Sequence, residues 1–204
     1  MKIIDVKQNT PEWEELRKGK IGGSDLKDII TLKGTGTKIG FYQLMADRLG
    51  IVDDDPEDAR ERGHTLEQES IKEFEKQTSK KVQSIGYCIS DKNPNLGLSP
   101  DGAIKKGSKY PEMVETKSLK ASLHLKAYYE KEVPEDYKAQ KLNYFIVNEE
   151  CKTLYFCFYN PNVTMLPFFY LEFHRKDLQD EIQLYEDLAL AQLERLDTLL
   201  ETFF

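Results

Sequence analysis

The chain has 204 residues, of which 39% are hydrophobic and 32% charged, and this length and composition predict a globular protein with a sizeable core. No apolar run approaches the roughly 20 residues of a membrane-spanning helix, and the first residues lack the apolar segment of a signal peptide, so a membrane protein is excluded and a cytoplasmic location is expected. Three widely spaced cysteines, Cys88, Cys151 and Cys157, are too few for an iron–sulfur cluster and predict free thiols. The net charge of −7 excludes a strongly basic, non-specific binder of nucleic acid.

The negative charge is concentrated at one end of the chain. Residues 176–204 contain eight acidic and two basic residues, whereas residues 105–141 contain nine lysines and six acidic residues. The central segment is therefore locally positive, and a bound metal ion would add positive charge beside its acidic residues. This distribution of charge is therefore compatible with an enzyme that acts on DNA.

Two short helices are predicted at the start of the chain. Thr10 as the N-cap and Pro11 in the first turn indicate a helix that ends at about Lys18. The Ile-Gly-Gly-Ser-Asp segment at 21–25 predicts a turn that leads into a second helix, with Ser24 as its cap.

The rest of the chain predicts strands in the middle with helices between them and at both ends. An acidic stretch at 53–61 indicates a solvated loop or a helix start. The helices expected after it are at about 59–78, 121–131, 134–147 and, long and amphipathic, 176–203. The expected strands are at about 82–90, 96–104, 112–118, 153–159 and 166–173. This order predicts one α/β domain over residues 1–204, with a mixed central β-sheet flanked by helices.

Two acid-bearing segments carry the candidate chemistry. The first is Ser-Pro-Asp-Gly at 99–102, and the second is Glu-Thr-Lys at 115–117. A Lys/Gly/Ser turn between them allows a hairpin that brings the carboxylates of Asp101 and Glu115 side by side. Because residues i and i+2 of a strand project together, Glu115 and Lys117 are expected on one face of it.

This combination predicts a site for hydrolysis of a phosphodiester. Mg²⁺ takes oxygen ligands and needs only one or two carboxylates, here Asp101 and Glu115, with the backbone carbonyl of Thr116 as a further ligand. The metal lowers the pKa of a bound water, and Lys117 can orient that water and offset charge on the phosphorane. The alternative is a solvated surface hairpin, which either motif alone would favour. The order, spacing and strand setting of the two motifs together favour the metal site.

Two further residues are candidates for the same site. Glu67 lies one turn after Gly63 on the predicted third helix and is a candidate carboxylate of the metal site. Glu69 is an equal candidate, and the sequence does not decide between the two. Gln140 shares a helix face with aromatic residues, where its amide needs hydrogen-bond partners, although a core-edge glutamine bonded to backbone is the alternative.

Arg17 and Ser24 are candidates for binding a phosphate. Arg17 lies four residues after Trp13, so it either stacks on that ring or uses its guanidinium to bind phosphate oxygens. Ser24, preceded by two glycines at a predicted helix start, could offer backbone N–H groups to the same anion. The scattered histidines show no ligand spacing and are interpreted as structural or surface residues: His64, His124 and His174.

In their order along the chain, these residues resemble the lambda-exonuclease-like family, also called YqaJ-type viral recombinases, within the PD-(D/E)xK nuclease superfamily. The match runs through Trp13-x-x-x-Arg17, Ile21-Gly22-Gly23-Ser24-Asp25, Arg62-Gly63-x-x-x-Glu67, Leu98-Ser99-Pro100-Asp101-Gly102, Glu115-Thr116-Lys117 and Gln140. It covers roughly residues 10–160, and the ordered set is specific although each motif alone is weak.

The resemblance implies a restriction-endonuclease-like core and a Mg²⁺-dependent 5′-to-3′ exonuclease for linear double-stranded DNA, with Mn²⁺ as a possible substitute. It implies that Asp101 and Glu115 are metal ligands and that Glu67 is the further carboxylate on the metal side. Lys117 would orient or activate the attacking water, and Gln140 would support the site.

The resemblance also implies a pocket for the 5′-phosphate, formed by Arg17, Ser24 and Ser99. Many relatives carry a hydroxyl residue near the position of Gly22, so backbone would replace that contact here. The implied partners are double-stranded DNA ends, a single-strand annealing protein and, as in some relatives, two further copies in a ring-shaped trimer. The implied setting is phage-type recombination in a bacterial or phage-infected cytoplasm. A PD-(D/E)xK endonuclease and a non-catalytic DNA-binding protein on the same fold are the alternatives.

Overall fold

The computed structural model describes residues 1–31, 38, 41, 44, 48, 60–119 and 121–201, with residues 60–65 and 122 described by their backbone alone. The helices in these ranges are α1 (Pro11–Arg17), α2 (Leu26–Ile29), α3 (Arg60–Thr78), α4 (Ala121–Glu130), α5 (Lys138–Val147) and α6 (Gln179–Leu200). The strands are β1 (Lys2–Ile4), β2 (Tyr87–Ile89), β3 (Gly97–Leu98), β4 (Gly102–Lys106), β5 (Lys109–Lys117), β6 (Thr153–Tyr159) and β7 (Phe168–His174). The predicted acidic stretch at 53–61 lies almost wholly outside the described residues.

The first helix begins as predicted, but the second does not. Thr10 caps α1 by accepting a hydrogen bond from the backbone N–H of Trp13 at 3.4 Å. Ser24 is wrong as the cap of α2, because Asp25 occupies the N-cap position and Ser24 lies in the preceding turn. The Asp25 carboxylate accepts a hydrogen bond from the backbone N–H of Gly22 at 3.1 Å, so that the 22–25 turn closes before the helix starts.

The strands form two sheets. A three-stranded antiparallel sheet has the order β1-β2-β3, and a four-stranded sheet has the order β4-β5-β6-β7. In the larger sheet β5 and β6 are parallel and the other pairs are antiparallel. The parallel pair is joined by a crossover that contains α4 and α5. The predicted mixed sheet with flanking helices is confirmed for this larger sheet.

The strand predicted at 96–104 is two strands in two different sheets. β3 pairs with β2, whereas β4 pairs with β5, and residues 99–101 connect them outside either strand. Pro100 explains the break, because it has no backbone N–H to donate to a neighbouring strand. Asp101 is therefore placed at the junction of the two sheets, directly before β4.

The larger sheet lies between helices on both of its faces. Side chains alternate along β5 and β6, so Val114 and Tyr155 pack with Phe74 of α3, whereas Met113 and Phe156 belong to the core on the other face. That second core includes buried residues of α5 and α6. Glu115 shares the face of Met113, which turns its side chain toward α5.

The strand expected at about 82–90 is wrong in its first half, because β2 covers only Tyr87–Ile89. The remaining boundaries are close to those predicted. The strand at 153–159 is confirmed without change, and β7 starts two residues later than expected. The segment at 134–147 begins with a 3-10 turn before α5, and α6 likewise begins three residues late, after a second 3-10 turn. All three cysteines are free and buried, as predicted. Within the described ranges no helix has the length and apolar character needed to cross a bilayer.

Candidate active site

The predicted hairpin brings the two acid-bearing segments together. β4 and β5 turn at Gly107, whose φ of +63° is a conformation that glycine adopts without strain. At the other end of the hairpin, the Asp101 carboxylate accepts hydrogen bonds from the backbone N–H of Thr116 at 2.7 Å and from its hydroxyl at 3.2 Å. These contacts fix the Asp101 side chain beside the end of β5, next to Glu115.

Glu115 is only 1% exposed, and donors occupy both of its carboxylate oxygens. Gln140 donates to Oε1 at 2.7 Å, and the ammonium group of Lys117 contacts the same oxygen. The hydroxyl of Tyr144 donates to Oε2. The carboxylate therefore has one orientation, which is set jointly by β5 and α5.

The helix α5 supplies two of these donors because Gln140 and Tyr144 are four residues apart and share one face. The prediction that Gln140 needs a polar partner is confirmed by its bond to Glu115. Tyr144 was not predicted as a site residue, although its place on the same helix face as Gln140 was visible in the sequence. Burial raises the pKa of the Tyr144 hydroxyl well above its ordinary value, and the neighbouring Glu115 carboxylate raises it further, so it remains a donor.

The electrostatics of Asp101 show how the charges are arranged. Burial raises the pKa of the Asp101 carboxyl well above its ordinary value, the Glu115 carboxylate adds to the effect, and Lys117 opposes it. Glu67 also raises the pKa of Asp101, so α3 brings Glu67 within electrostatic range of the site. Glu69, the alternative candidate, acts on Tyr159 instead: burial raises the pKa of the Tyr159 hydroxyl, and the Glu69 carboxylate raises it further.

Lys117 is the positive charge within this group. Burial acts to lower the pKa of its ammonium group, but the Glu115 and Asp101 carboxylates outweigh burial, and the pKa is raised. The ring of Tyr137 lies 5.2 Å from the ammonium nitrogen, measured to the ring centroid. The ammonium group of Lys117 thus lies near the carboxylates of Asp101 and Glu115 and near the Tyr137 ring.

The donor set suits a hard divalent cation. Asp101 and Glu115 are two carboxylates that share a largely desolvated space, where an added cation would offset their mutual repulsion. In the parts of the chain that the structure describes, no group of three or more His, Cys, Asp or Glu side chains is arranged to hold a metal ion. A cation held by this pair would complete its coordination with the Thr116 carbonyl and water, as Mg²⁺ and Mn²⁺ accept and softer ions do not favour.

A second cluster lies beside the first. The indole N–H of Trp13 donates to the Ser99 hydroxyl at 3.1 Å, and the Arg17 guanidinium carbon lies 4.4 Å from the centroid of the Trp13 ring. The structure therefore brings the predicted residues Arg17 and Ser99 together through Trp13. Since Ser99 precedes Asp101 by two residues, the cluster adjoins the carboxylates.

Ser24 is less closely associated with this cluster. Its exposed hydroxyl donates to Asp25 at 3.2 Å, and within the described residues it makes no hydrogen bond to Arg17 or Ser99. The turn nevertheless approaches Arg17, because a Cβ atom placed on Gly22 would lie 3.7 Å from the Arg17 Nη2 atom and 2.8 Å from the Asp25 Oδ2 atom.

A mixed sheet that carries Asp101 and the Glu115-x-Lys117 triplet on one hairpin, with helices on both faces, is the core of the PD-(D/E)xK nuclease class. A sequence model of the YqaJ-like viral recombinase domain matches residues 12–150. The chain belongs to this family, and it is a nuclease. A comparison with curated protein sequences gives no match.

Solved structures share the fold over nearly the whole chain. The exonuclease LHK-Exo in complex with dAMP superposes with a TM-score of 0.80 at 21% identity, covering 95% of this chain and 96% of its own. A second structure of this alkaline exonuclease, from Laribacter hongkongensis, gives a TM-score of 0.76 at 21% identity and covers 95% and 97%. A phage-related exonuclease from Haemophilus somnus gives 0.65 at 16% identity and covers 91% and 96%.

Proposed function

We propose that this nuclease is a Mg²⁺-dependent exonuclease that digests linear double-stranded DNA from its 5′ ends. The observation that carries the proposal is the adjacency of the two clusters, in which Ser99 of the Trp13–Arg17 group and Asp101 of the carboxylate group are two residues apart. One cluster has the chemistry to cut a phosphodiester, and the other has the chemistry to hold a phosphate at a DNA end.

In the cutting site, Asp101, Glu115 and the Thr116 carbonyl would hold the metal ion, with Glu67 as a further carboxylate on the same side. When bound, the metal supplies Lewis-acid polarisation of the phosphoryl oxygen and acidifies a water. Lys117 orients the attacking water and offsets the negative charge that develops on the phosphorus oxygens. Gln140 holds Glu115 in its orientation by the 2.7 Å hydrogen bond.

In the end-binding site, Arg17 is the principal phosphate ligand. Its guanidinium carbon lies 4.4 Å from the centroid of the Trp13 ring, and among the described residues its N–H groups make no hydrogen bond or ion pair, which leaves them available for a phosphate. Ser99 and Ser24 add hydroxyl donors. LHK-Exo, a solved structure with this fold, is a complex with dAMP, so a protein with this fold binds a nucleotide that carries a 5′-phosphate.

The proposed biological setting is phage-type homologous recombination in the cytoplasm of a bacterium or of an infected host. Digestion of one strand from a 5′ end leaves the complementary strand as single-stranded DNA. Single-stranded DNA is the substrate that a single-strand annealing protein requires. Double-stranded DNA ends and such a protein are therefore the proposed partners, and a ring-shaped homotrimer is the proposed assembly.

The proposal is tested by digesting four substrates with Mg²⁺: linear duplexes with 5′-phosphate, 5′-hydroxyl or hairpin-closed ends, and covalently closed circular DNA. We expect fastest digestion of the 5′-phosphorylated duplex, no attack on closed ends or circles, and no activity in excess EDTA. Arg17→Ala should slow digestion of the 5′-phosphorylated duplex by about tenfold to a hundredfold, since a hydrogen bond to a charged group is worth ~1.5–3 kcal/mol. The same variant should affect the 5′-hydroxyl duplex much less.

Other outcomes would identify the alternatives. Nicking of closed circles would show an endonuclease with the same metal site. DNA binding without cleavage under any metal would show a non-catalytic protein. Robust digestion in excess EDTA would exclude the metal mechanism.

A further inference from the structure

Tyr87 is a buried tyrosine whose hydroxyl has no hydrogen-bond partner among the described residues. The residue is 1% exposed and lies on β2, where it is part of the core of the smaller sheet. Buried polar groups are nearly always hydrogen-bonded, because an unpaired hydroxyl loses its bonds to water on folding and gains nothing in return. An unpartnered hydroxyl at such a position is a cost to stability that a phenylalanine would avoid.

The backbone is shaped to admit this hydroxyl. A Cβ atom placed on Gly97 would lie 1.8 Å from the Tyr87 oxygen, so no residue other than glycine fits at position 97 while the hydroxyl stays where it is. Gly97 lies on β3, next to β2, and its carbonyl accepts a hydrogen bond from the side-chain amide of Asn143 at 2.9 Å. The hydroxyl is therefore held at a defined point beside β3 rather than left over in a loose region.

That point adjoins the end-binding cluster. Gly97 is two residues before Ser99, whose hydroxyl bonds Trp13. Two charged groups near this cluster act on the Tyr87 hydroxyl. Burial raises the pKa of the hydroxyl to about 12, the Arg17 guanidinium opposes that shift, and the Asp25 carboxylate adds to it. The hydroxyl thus lies within electrostatic range of the arginine that would bind a terminal phosphate.

We propose that the Tyr87 hydroxyl is a further ligand of the 5′-terminal phosphate, donating a hydrogen bond to a phosphate oxygen seated on Arg17. This inference rests on the proposed function and names a residue that sets its preference for phosphorylated ends. The neutral hydroxyl suits a position within electrostatic range of both Arg17 and Asp25, because it donates to a phosphate without adding a charge that the carboxylate would pair with.

The competing explanation is a structural water. The Asn143 side-chain oxygen is also buried without a partner among the described residues, and Asn143 contacts the same Gly97. One water could join this oxygen to the Tyr87 hydroxyl. In that case the hydroxyl would contribute to stability and would have no bearing on phosphate binding.

The test compares Tyr87→Phe with Tyr155→Phe as a matched control. Tyr155 is also a buried strand tyrosine, but its hydroxyl has a partner, the Glu112 carboxylate at 3.1 Å, away from both clusters. Three quantities are measured for the wild type and each variant: the urea midpoint, the affinities for dAMP and for deoxyadenosine, and the ratio of digestion rates on 5′-phosphate and 5′-hydroxyl duplexes.

For Tyr87→Phe we expect an unchanged or raised urea midpoint together with about tenfold weaker binding of dAMP, as for loss of one hydrogen bond to a charged group. Deoxyadenosine affinity should not change, and the ratio of digestion rates should fall by about the same factor. For Tyr155→Phe we expect a lower urea midpoint with the wild-type ratio and the wild-type dAMP affinity.

Two results would overturn the inference without touching the proposed function. One is a Tyr87→Phe protein with wild-type dAMP affinity and rate ratio. The other is a loss of stability as large as that of Tyr155→Phe, which would show that water or protein already satisfies the hydroxyl. A wild-type protein that binds dAMP no better than deoxyadenosine would instead refute the end-binding pocket as a whole, and the role of Tyr87 with it.

Discussion

Glu115 takes its orientation from α5, and Tyr144 is the donor that occupies its second oxygen. Side chains that hydrogen-bond a metal ligand fix its orientation, and losing one typically lowers metal affinity by about 10–100-fold. The position of Tyr144, fully buried and beyond the reach of substrate, makes it a positioning residue. Its role can therefore be separated from catalysis by titrating the metal.

Tyr144→Phe should raise the Mg²⁺ concentration for half-maximal digestion by about tenfold to a hundredfold. The reason is that Glu115 loses one of the donors that fix its carboxylate, while the ring and its packing remain. The measurement is the digestion rate as a function of Mg²⁺ concentration, and saturating Mg²⁺ should restore much of the rate. A variant with wild-type metal dependence would show that Gln140 and Lys117 suffice to orient Glu115.

Lys117→Ala should lower the turnover of saturated enzyme by about 10²–10⁴-fold, the usual effect of losing one acid–base or electrostatic group. DNA binding, measured with Ca²⁺ in place of Mg²⁺, should change little, because Lys117 is not one of the proposed metal ligands. Lys106→Ala is the control: Lys106 also pairs with a buried glutamate of β5, Glu112, which keeps its second partner Lys80 at 2.6 Å. Retention of more than about a tenth of wild-type turnover in the Lys117 variant would contradict its assignment.

At the level of elements, α5 connects the two clusters. One face of this helix carries Gln140, which bonds Glu115 of the larger sheet, and Asn143, which bonds Gly97 of the smaller sheet. A Cβ atom on Gly23 would lie 3.2 Å from Gln140 and 3.4 Å from Asn143, so the glycine turn packs directly on the same face. The helix therefore contacts the larger sheet, the smaller sheet and the glycine turn with one face.

A neighbouring helix is attached to the larger sheet by a histidine. His124 of α4 is fully buried, its Nε2 atom bonds the Leu166 carbonyl at 2.9 Å, and its ring meets Phe169 edge-on at 4.8 Å between centroids. Its Nδ1 atom is buried without a partner among the described residues. Burial accordingly lowers the pKa of His124 below its ordinary value of 6.5, although the bond to Leu166 opposes the shift.

The protein should therefore lose stability as the pH falls below about 6.5, since there the unfolded chain binds a proton that folded His124 does not. The measurement is the urea midpoint at pH 7.5 and at pH 5.5. His124→Gln should show a smaller loss between these two pH values than the wild type, because it removes the imidazole whose pKa burial lowers. Equal losses in both proteins would show that protonation of His124 has no part in the acid response.

At the level of elements, the sequence predicts features that depend on residues close to one another along the chain. The hairpin of β4 and β5 follows from strand alternation and a glycine turn. The need of the half-buried Gln140 amide for a hydrogen-bond partner also follows from its helix face, but not that the partner is Glu115. The choice between Glu67 and Glu69 could not be made from the residues, because it depends on how α3 is rotated by the packing of Phe74 against the sheet. The break at Pro100 could have been read from its missing N–H, but which sheet each half joins depends on distant strands.

The contacts of Tyr144 and Tyr87 show a second limit. The Tyr144 hydroxyl bonds Glu115 on a strand that tertiary folding brings near, whereas the Tyr87 hydroxyl has no partner among the described residues. No spacing rule along one helix or strand predicts either result. The glycine at position 97 was not recognised for the same reason, since the atom that requires it lies on another strand. Residues of this kind are found only once the strands are placed.

At the scale of the whole molecule, the two sheets together with their helices should unfold as one unit. Cys88 lies in β2 of the smaller sheet, Cys157 in β6 of the larger sheet, and Cys151 in the turn between α5 and β6. Burial raises the pKa of Cys88 and of Cys151 to about 12, and that of Cys157 well above its ordinary value. The three thiols therefore report on different parts of one structure.

In the native protein at pH 8, a thiol reagent should label all three cysteines at least about a thousandfold more slowly than in the unfolded chain, as expected for groups exposed only by global unfolding. Through the urea transition the three should become reactive at the same midpoint, measured cysteine by cysteine by mass spectrometry of quenched samples. Earlier labelling of Cys88 than of Cys157 would mean that the smaller sheet opens independently and that the chain is not one cooperative domain.

The three-residue connection between β3 and β4 has a consequence for how far each cut lies from the DNA end. Ser99 and Asp101 are separated by Pro100 alone, and two residues of chain span at most about 7 Å. A terminal phosphate held beside Ser99 would leave room for a single nucleoside before the bond that meets the carboxylates. Under the proposed function, the digested strand would therefore shorten by one nucleotide in each cycle, and the length of that step would be set by covalent bonds of the backbone rather than by how DNA slides through the site.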